Sequence, residues 1–334
     1  MSNPILVEIT RGALVESCHR GSVAVIDADG SIVQSIGDIE RPVFPRSAIK
    51  ALQAMLLVET GAADKYQLSD QEIALACSSH SAEPGHIDAV NSVLAKIGLD
   101  HSALECGCQR PMNEKASLDL AVQHQAPLAT HNNCSGKHAG FLCLACQMGV
   151  DHDGYIGRDH AVQREIKGVM EALTGAAHAE DHCGTDGCSI PTYAVPLKSI
   201  ALGFSKFASG NGLEPERAKA AKRLFRACTE NPWHVAGTGR GCTDIMQAGK
   251  GRVFAKTGAE GMYCAAIPEL GLGIAIKCDD GTTRAAETIA AAVIANLLPK
   301  NDAVGEAIRA TGNPALKNWN GIEVGAVRPA GEIA

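Results

Sequence analysis

The chain has 334 residues, of which 46% are hydrophobic and 20% are charged, and its formal net charge is −7. This balance is typical of a globular protein, and an acidic chain without a run of Lys or Arg is not expected to bind nucleic acid. The longest apolar run, residues 289–298, is about half as long as a membrane span, so no membrane partner is predicted.

The compartment is inferred from the N-terminus and the cysteines. The first residues lack the basic and apolar stretches of a signal peptide, which favours a cytoplasmic location. The chain contains 13 cysteines. In a reducing compartment they are predicted to be thiols rather than a disulfide framework.

The first 45 residues predict short strands, at residues 5–9, 22–26 and 32–36. An Asp-rich turn ending in Gly30 predicts a hairpin between the last two strands. Pro42 and Pro45 then end the strand pattern. Apolar residues at mixed spacings of three and four predict a helix from Ser47 to Gly61.

The middle of the chain is rich in predicted helices, which glycine-rich loops separate. These helices are predicted at residues 87–97, 116–124, 137–148, 160–173 and 215–228. The C-terminal third returns to strands, predicted at residues 252–256, 262–266 and 271–277. An alanine-rich helix follows at residues 282–298, and the order of the polar tail after it is not predicted.

Strands at both ends of the chain, with helices between them, predict an α/β fold. In this fold the N- and C-terminal segments build one antiparallel sheet flanked by helices, and a helical lobe is inserted between them. The predicted sheet subdomain comprises residues 1–61 and 231–334, and the predicted helical subdomain comprises residues 62–230. Together they are predicted to form a single catalytic unit, residues 1–334.

A serine and a lysine one helical turn apart, Ser47 and Lys50, form the first motif with chemical potential. A lysine at i+3 on the same helix face can remove the proton of a serine hydroxyl and make it a nucleophile. Taken alone, Ser47 is better explained as a helix N-cap. The later sequence Lys256-Thr257-Gly258 favours catalysis, because serine β-lactamases and penicillin-binding proteins carry both motifs in this order.

A second cluster, Cys77-Ser78-Ser79-His80-Ser81, follows an apolar run. Its serines could cap the next helix. They could also supply a second activated serine, Ser79, with Lys256 as its lysine.

A third cluster combines the loop at residues 131–138 with the loop at residues 183–188. Thiols and histidines in short loops are typical of metal sites. The Cys-x4-Cys spacing differs from the common Cys-x2-Cys knuckle, so free thiols and turn residues are the alternative interpretation.

Five separated blocks together resemble the rhizobial-type (class 3) L-asparaginases. The blocks are residues 41–50, 77–80, 133–138, 186–188 and 235–240. The resemblance extends from near the N-terminus to about residue 300. It implies a fold similar to serine β-lactamases and glutaminases, hydrolysis of L-asparagine to L-aspartate and ammonia, and a homodimer.

The resemblance also implies the residues of the site. It implies two Ser-Lys pairs, Ser47 with Lys50 and Ser79 with Lys256. It further implies one metal ion per subunit, usually zinc, held by Cys134, Lys137 and Cys188. A lysine ligand must lose its proton, which requires a metal and surroundings of low dielectric constant.

The predicted mechanism begins with neutral Lys50 accepting the proton of Ser47, which attacks the side-chain amide carbon of asparagine. Backbone N–H groups near Ser47 are expected to stabilise the oxyanion, and Ser79 and Lys256 are expected to relay protons. Candidate substrate-binding residues are Arg46 for the carboxylate, Asp186 for the ammonium group, and Asn133, His138 and Cys242. A buried structural thiol is an equally good interpretation of Cys242.

Two other functions stay open from the sequence. A penicillin-recognising hydrolase would share Ser47, Lys50 and Lys256, although its Ser-x-Asn motif is absent as such. A metal-binding or redox-sensing module could use the Cys-rich loops without catalysis. The preference for asparagine over glutamine is not predictable, because one methylene changes binding by only about 1–3 kcal/mol.

Overall fold

A computed structural model describes residues 2–334, and these residues divide into two compact units. The sheet unit runs up to Ile49 and also contains Val195–Asn211 and Asp244–Ala334. The helical unit contains Lys50–Ala194 and Gly212–Thr243. No helix in the described part of the chain is long and apolar enough to cross a membrane.

The strands lie mainly at the two ends of the chain. They are β1 (Ile5–Arg11), β2 (Leu14–Ile26), β3 (Ile32–Ile36), β4 (Pro42–Val43), β5 (Cys183–Thr185), β6 (Pro191–Tyr193), β7 (Val195–Pro196), β8 (Phe254–Thr257), β9 (Met262–Ile267), β10 (Leu272–Cys278), β11 (Ala315–Lys317) and β12 (Glu323–Pro329).

The helices occupy most of the middle of the chain. They are α1 (Lys50–Gln53), α2 (Met55–Glu59), α3 (Ala62–Lys65), α4 (Asp70–Ala76), α5 (Pro84–Lys96), α6 (Glu114–Val122), α7 (Ser135–Met148), α8 (Ala161–Thr174), α9 (Leu197–Ser209), α10 (Pro215–Glu230), α11 (Pro232–Val235), α12 (Gly241–Gly249), α13 (Thr283–Leu297) and α14 (Ala303–Thr311).

The sheet unit is built on one eight-stranded sheet. Its order is β11-β12-β1-β2-β10-β9-β8, with β3 also paired to β2, and every pairing is antiparallel. The predicted α/β class, with an antiparallel sheet assembled from the two ends of the chain, is therefore confirmed. The predicted hairpin is also present, because β2 and β3 pair across the turn at residues 27–30.

Small and branched side chains let helices pack closely on this sheet. The alanine-rich helix α13 buries most of its length and packs against β9, β10, β1 and β12. On α9 and β8, Phe204, Phe207 and Phe254 form one aromatic cluster, with ring centroids 5.5–6.1 Å apart. Burial of these apolar faces is the main force that holds the sheet unit together.

The observed units differ from the predicted subdomains at three places. Residues 50–61 belong to the helical unit, because α1 and α2 pack against α8 and α10. Residues 195–211 belong to the sheet unit, because α9 packs on β10 and β2. Residues 231–243 belong to the helical unit, where α11 packs on α4. Sequence periodicity shows that a helix has an apolar face, but not which partner covers that face.

The C-terminal tail is ordered structure. Beyond α13 it forms α14, β11 and β12, and β12 pairs with β1 through the register Val7 with Pro329. This pairing joins residues more than 300 positions apart. Local sequence patterns cannot reveal such a partner.

Candidate active site

Ser47 lies in a 3₁₀ turn, Arg46–Ile49, within the sheet unit. The turn is closed by the N–H of Ala48, which donates to the carbonyl of Pro45 at 3.1 Å. Arg46 has φ 51°, in the left-handed region that residues other than glycine rarely adopt. Such conformations cost roughly 1–3 kcal/mol and cluster at functional sites. The strained backbone at Arg46 is therefore consistent with a functional role for the turn that contains Ser47.

The Lys256-Thr257-Gly258 motif ends strand β8 in the same unit. Lys256 is fully buried, and its Nζ donates to the carbonyl of Thr257 at 2.8 Å. A Cβ placed on Gly258 would lie 2.8 Å from the Pro45 carbonyl oxygen and 3.0 Å from the Ala48 nitrogen. The strand end thus packs directly on the Ser47 turn, and only glycine permits this approach without displacement.

Lys50 is fully buried in the helical unit, at the start of α1. Its Nζ donates to the Ser78 carbonyl at 2.5 Å, to Ser79 Oγ at 2.9 Å and to Cys134 Sγ at 3.1 Å. A buried lysine requires such partners, because an unpaired ammonium group in a protein interior is costly. The sequence predicted that Lys50 pairs with Ser47 and that Lys256 pairs with Ser79. The structure adds a hydrogen bond between Lys50 and Ser79.

Ser79 is held by the block at residues 235–240, which is also in the helical unit. Its N–H donates to the Val235 carbonyl at 2.9 Å. Farther along, Thr238 donates from its N–H and from its hydroxyl to the two carboxylate oxygens of Glu83, both at 2.8 Å. Gly237 has φ 114°, and a Cβ there would lie 2.6 Å from Glu83 Oε1. The Gly237-Thr238-Gly239 sequence therefore indicates a tight loop that binds the carboxylate of Glu83.

The predicted metal ligands meet in the helical unit. Cys134 precedes α7, Lys137 lies in the first turn of α7, and Cys188 lies in the turn between β5 and β6. All three are buried, and Lys137 Nζ donates to Cys188 Sγ at 3.0 Å. Cys188 Sγ also lies 3.6 Å from Asp186 Oδ2.

The two thiols of this cluster have opposite protonation preferences. A hydrogen bond from Cys188 lowers the pKa of Cys134 well below its usual value; burial opposes this shift, and the charges of Lys50 and Lys137 reinforce it. The same hydrogen bond and burial raise the pKa of Cys188. Burial disfavours the charge of Lys137, yet the two cysteines and Asp186 raise its pKa. Within this cluster, loss of a proton is therefore favoured at Cys134 and disfavoured at Cys188 and Lys137.

The predicted substrate residues differ in their surroundings. Asp186 is 9% exposed, and its Oδ1 accepts the Gly187 N–H at 2.9 Å. Asn133 is half-buried, with its Oδ1 3.1 Å from Cys134 Sγ. Cys242 is buried in α12.

His138 is fully buried inside α7. Its Nδ1 is 2.7 Å from the hydroxyl of Tyr155, and its Nε2 has no hydrogen-bond partner in residues 2–334. Burial lowers its pKa well below the usual value, so the ring is neutral. The Tyr155 hydroxyl also accepts the Glu105 N–H at 3.0 Å. Tyr155 therefore connects His138 on α7 with the loop that contains Glu105, a link that the sequence did not predict. The role of His138 in substrate binding stays a prediction.

The sequence matches the Asparaginase_II family, described as L-asparaginase II, over residues 7–329. The chain belongs to the L-asparaginase II family. It is therefore an enzyme of the amidohydrolase class, as the five sequence blocks predicted. Membership of this family favours asparaginase over both a penicillin-recognising hydrolase and a non-catalytic metal or redox module.

Several solved structures are similar to this L-asparaginase II family member at low sequence identity. A β-lactamase from Mycobacterium bovis is 11% identical with a TM-score of 0.42, over 87% of this chain and 94% of that one. A mutant of the simvastatin synthase LovD from Aspergillus terreus is 11% identical with a TM-score of 0.42, over 87% and 90%. The protein Mglu is 17% identical with a TM-score of 0.38, over 85% and 63%. A search of curated proteins finds no match.

Proposed function

We propose that this enzyme hydrolyses the side-chain amide of L-asparagine to L-aspartate and ammonia through a serine nucleophile activated by lysine. The proposal rests on one observation above all. Lys50 is a fully buried lysine three residues after Ser47, and it is hydrogen-bonded to a second serine, Ser79. Lys50 can act as a base only after it has given up the proton whose charge favours the Cys134 thiolate.

The first chemical step transfers the Ser47 hydroxyl proton to neutral Lys50 while Ser47 Oγ bonds to the amide carbon. The amide oxygen becomes an oxyanion. The C–N bond then breaks, ammonia leaves with the proton returned by Lys50, and an aspartyl ester of Ser47 remains. Water then attacks the ester carbon while Lys50 accepts a proton from the water. The bond between this carbon and Ser47 Oγ breaks, Lys50 returns the proton to Ser47 Oγ, and L-aspartate leaves. In this scheme Ser79 and Lys256 relay protons.

Oxyanion stabilisation needs N–H donors that already point at the substrate oxygen and are not used in other hydrogen bonds. The N–H of Ala48 already donates to Pro45 within the turn. Other backbone N–H groups near Ser47 are therefore the better candidates.

The decisive experiment measures ammonia release from L-asparagine and from L-glutamine, with and without added zinc. It compares the wild-type enzyme with Ser47→Ala and with the matched variant Ser79→Ala. Release that is selective for asparagine and that disappears in Ser47→Ala supports both the reaction and the nucleophile. Near-normal release by Ser47→Ala, with loss in Ser79→Ala, would move the nucleophile to Ser79. No release from either amide by the wild-type enzyme would refute the proposal.

We also propose that Cys134, Lys137 and Cys188 bind one zinc ion. Two sulfur atoms and an amine nitrogen form a donor set that suits a borderline-soft cation, and Cys134 is already favoured as a thiolate. Lys137 and Cys188 must each lose a proton for full ligation, and Asp186 lies near enough to orient Cys188. When bound, zinc would supply positive charge that polarises substrate groups.

Zinc content per chain should fall in Cys188→Ser while Cys183→Ser keeps it, because Cys183 lies in the same segment outside the ligand set. Equal zinc in the two variants would count against this ligand set.

The charged groups of asparagine require partners of opposite charge. We propose Asp186 for the ammonium group and Arg46 for the carboxylate, with Asn133, His138 and Cys242 nearby. Asp186→Asn removes the charge and keeps the shape, so it should raise KM more than it lowers kcat. For Arg46, Asn is the suitable replacement, because it tolerates the left-handed conformation. An unchanged KM in either variant would remove that residue from substrate binding.

Assembly and location are proposed on narrower grounds. The resemblance to rhizobial-type asparaginases implies a homodimer, and a solution mass near 34.7 kDa would overturn it. No disulfide joins any two cysteines in residues 2–334, which suits the reducing cytoplasm.

A further inference from the structure

A histidine, a cysteine and an aspartate meet in the sheet unit, where none of the proposed catalytic steps uses them. His19 lies on β2, Cys278 ends β10, and Asp280 follows two residues later. His19 Nδ1 is 2.5 Å from Asp280 Oδ2, and Cys278 Sγ is 3.0 Å from Asp280 Oδ1. One ligand atom from each residue lies within 4.8 Å of the other two.

The imidazole of His19 is not fully satisfied in this arrangement. The side chain is only 6% exposed, and its Nε2 has no hydrogen-bond partner in residues 2–334. Buried polar atoms in native proteins nearly always have a partner. The other ring nitrogen, Nδ1, faces Asp280 Oδ2, and that contact needs a proton or a cation between the two atoms.

The carboxylate of Asp280 is oriented and accessible. Its Oδ1 accepts the N–H of Thr282 at 3.0 Å, at the start of α13. Hydrogen bonds of this kind hold ligating carboxylates in place at metal sites. The side chain of Asp280 is 45% exposed, so an ion could enter from solvent although Cys278 is buried.

We propose that His19, Cys278 and Asp280 form a second binding site for zinc or a similar divalent transition-metal ion. Imidazole nitrogen, thiolate sulfur and carboxylate oxygen are the three donor types that zinc takes in proteins, and three protein ligands leave a fourth position for water. The ion would replace the protons that now lie between these side chains. None of the three residues belongs to the Cys134, Lys137 and Cys188 set.

A bound ion would have a structural consequence for the sheet. It would connect β2 to the segment between β10 and α13, next to the paired residues Gly21 and Cys278. Because the ligands are assembled only in the folded protein, binding should stabilise the fold against heat.

Cobalt(II) is the appropriate probe, because a thiolate-bound cobalt ion absorbs light through ligand-to-metal charge transfer. The titration is done in a Cys188→Ser background, which disables the other candidate site. We expect one cobalt ion per chain with a thiolate absorption band. Asp280→Asn, which keeps the side-chain shape at an exposed position, should weaken binding at least about tenfold. Cys278→Ala should abolish the band.

The matched control is Cys18→Ser, which removes an exposed thiol beside His19 that is not in the proposed set. It should keep both the band and the affinity. Zinc should raise the melting temperature of the Cys188→Ser protein more than that of the Asp280→Asn double variant at the same zinc concentration. The proposal is wrong if the Cys188→Ser protein shows no thiolate band, or if Asp280→Asn binds cobalt as tightly as its parent.

Discussion

Replacing Gly258 by alanine tests whether the strand end after Lys256 fixes the position of Ser47. The added Cβ would lie 2.8 Å from the Pro45 carbonyl oxygen, 3.0 Å from the Ala48 nitrogen and 3.0 Å from Met262 Cβ. Ordinary van der Waals contact begins at about 3.4 Å. Two of the three neighbours are backbone atoms of the Ser47 turn, so the turn must move by roughly 0.6 Å relative to the strand.

This displacement should affect stability and turnover to different degrees. Overpacking of a well-packed contact costs about 1–3 kcal/mol of unfolding free energy. A displacement of about 1 Å at reacting groups can cost roughly 100-fold in rate, so a shift of about half that size should lower kcat roughly tenfold. KM should rise as well, because Arg46, the proposed partner of the substrate carboxylate, lies in the turn that moves.

The assay combines urea unfolding with steady-state ammonia release from L-asparagine. Gly168→Ala is the matched control, because a Cβ at this position in α8 meets no atom within 4 Å. It should stabilise the protein by about 0.5–1 kcal/mol and leave kcat unchanged. A Gly258→Ala enzyme with normal kcat would refute the argument that this packing positions the nucleophile, even if it were less stable.

Three further predictions follow from buried contacts. Lys50→Met should lower kcat by about 100- to 10,000-fold in the same assay, because it removes the proposed base, and retention of near-normal turnover would contradict that role. Gly273→Ala should destabilise the protein by more than about 3 kcal/mol in urea unfolding, since its Cβ would lie 2.0 Å from the Ala201 carbonyl oxygen; unchanged stability would contradict the close packing of α9 on β10. Burial lowers the pKa of His86 from 6.5 to about 4, so the unfolded chain binds a proton that the folded chain excludes. Stability should therefore fall as the pH drops from 6.5 toward 4, by about 3 kcal/mol, and His86→Gln should lose this part of the pH dependence in urea unfolding.

Sequence patterns predicted the secondary structure well wherever the pattern was local. The predicted helix at residues 137–148 corresponds to Ser135–Met148, and the predicted strand at residues 262–266 corresponds to Met262–Ile267. Periodicity works here because alternate or every third to fourth side chain shares one face of the element. The helix predicted from Ser47 instead begins as a 3₁₀ turn, Arg46–Ile49, and continues as two short helices, Lys50–Gln53 and Met55–Glu59.

The identity of the family was also contained in the sequence. Five short blocks spread along the chain were enough to indicate an asparaginase, and the family match over residues 7–329 agrees with them. The sequence blocks could not show which residues lie beside them in space. Lys50 touches Ser79 and Cys134, which are 29 and 84 positions away along the chain.

What the sequence alone determined, then, is many of the helices and strands, the α/β class and the family, because each depends on residue type and on spacing along the chain. Only the tertiary structure decided that helix α9 joins the sheet unit, that β12 pairs with β1, and that His138 is buried against Tyr155. It also decided that His19 lies beside Asp280, 261 positions away. The physical reason is that packing between distant segments depends on the complementarity of whole surfaces, which no single segment contains.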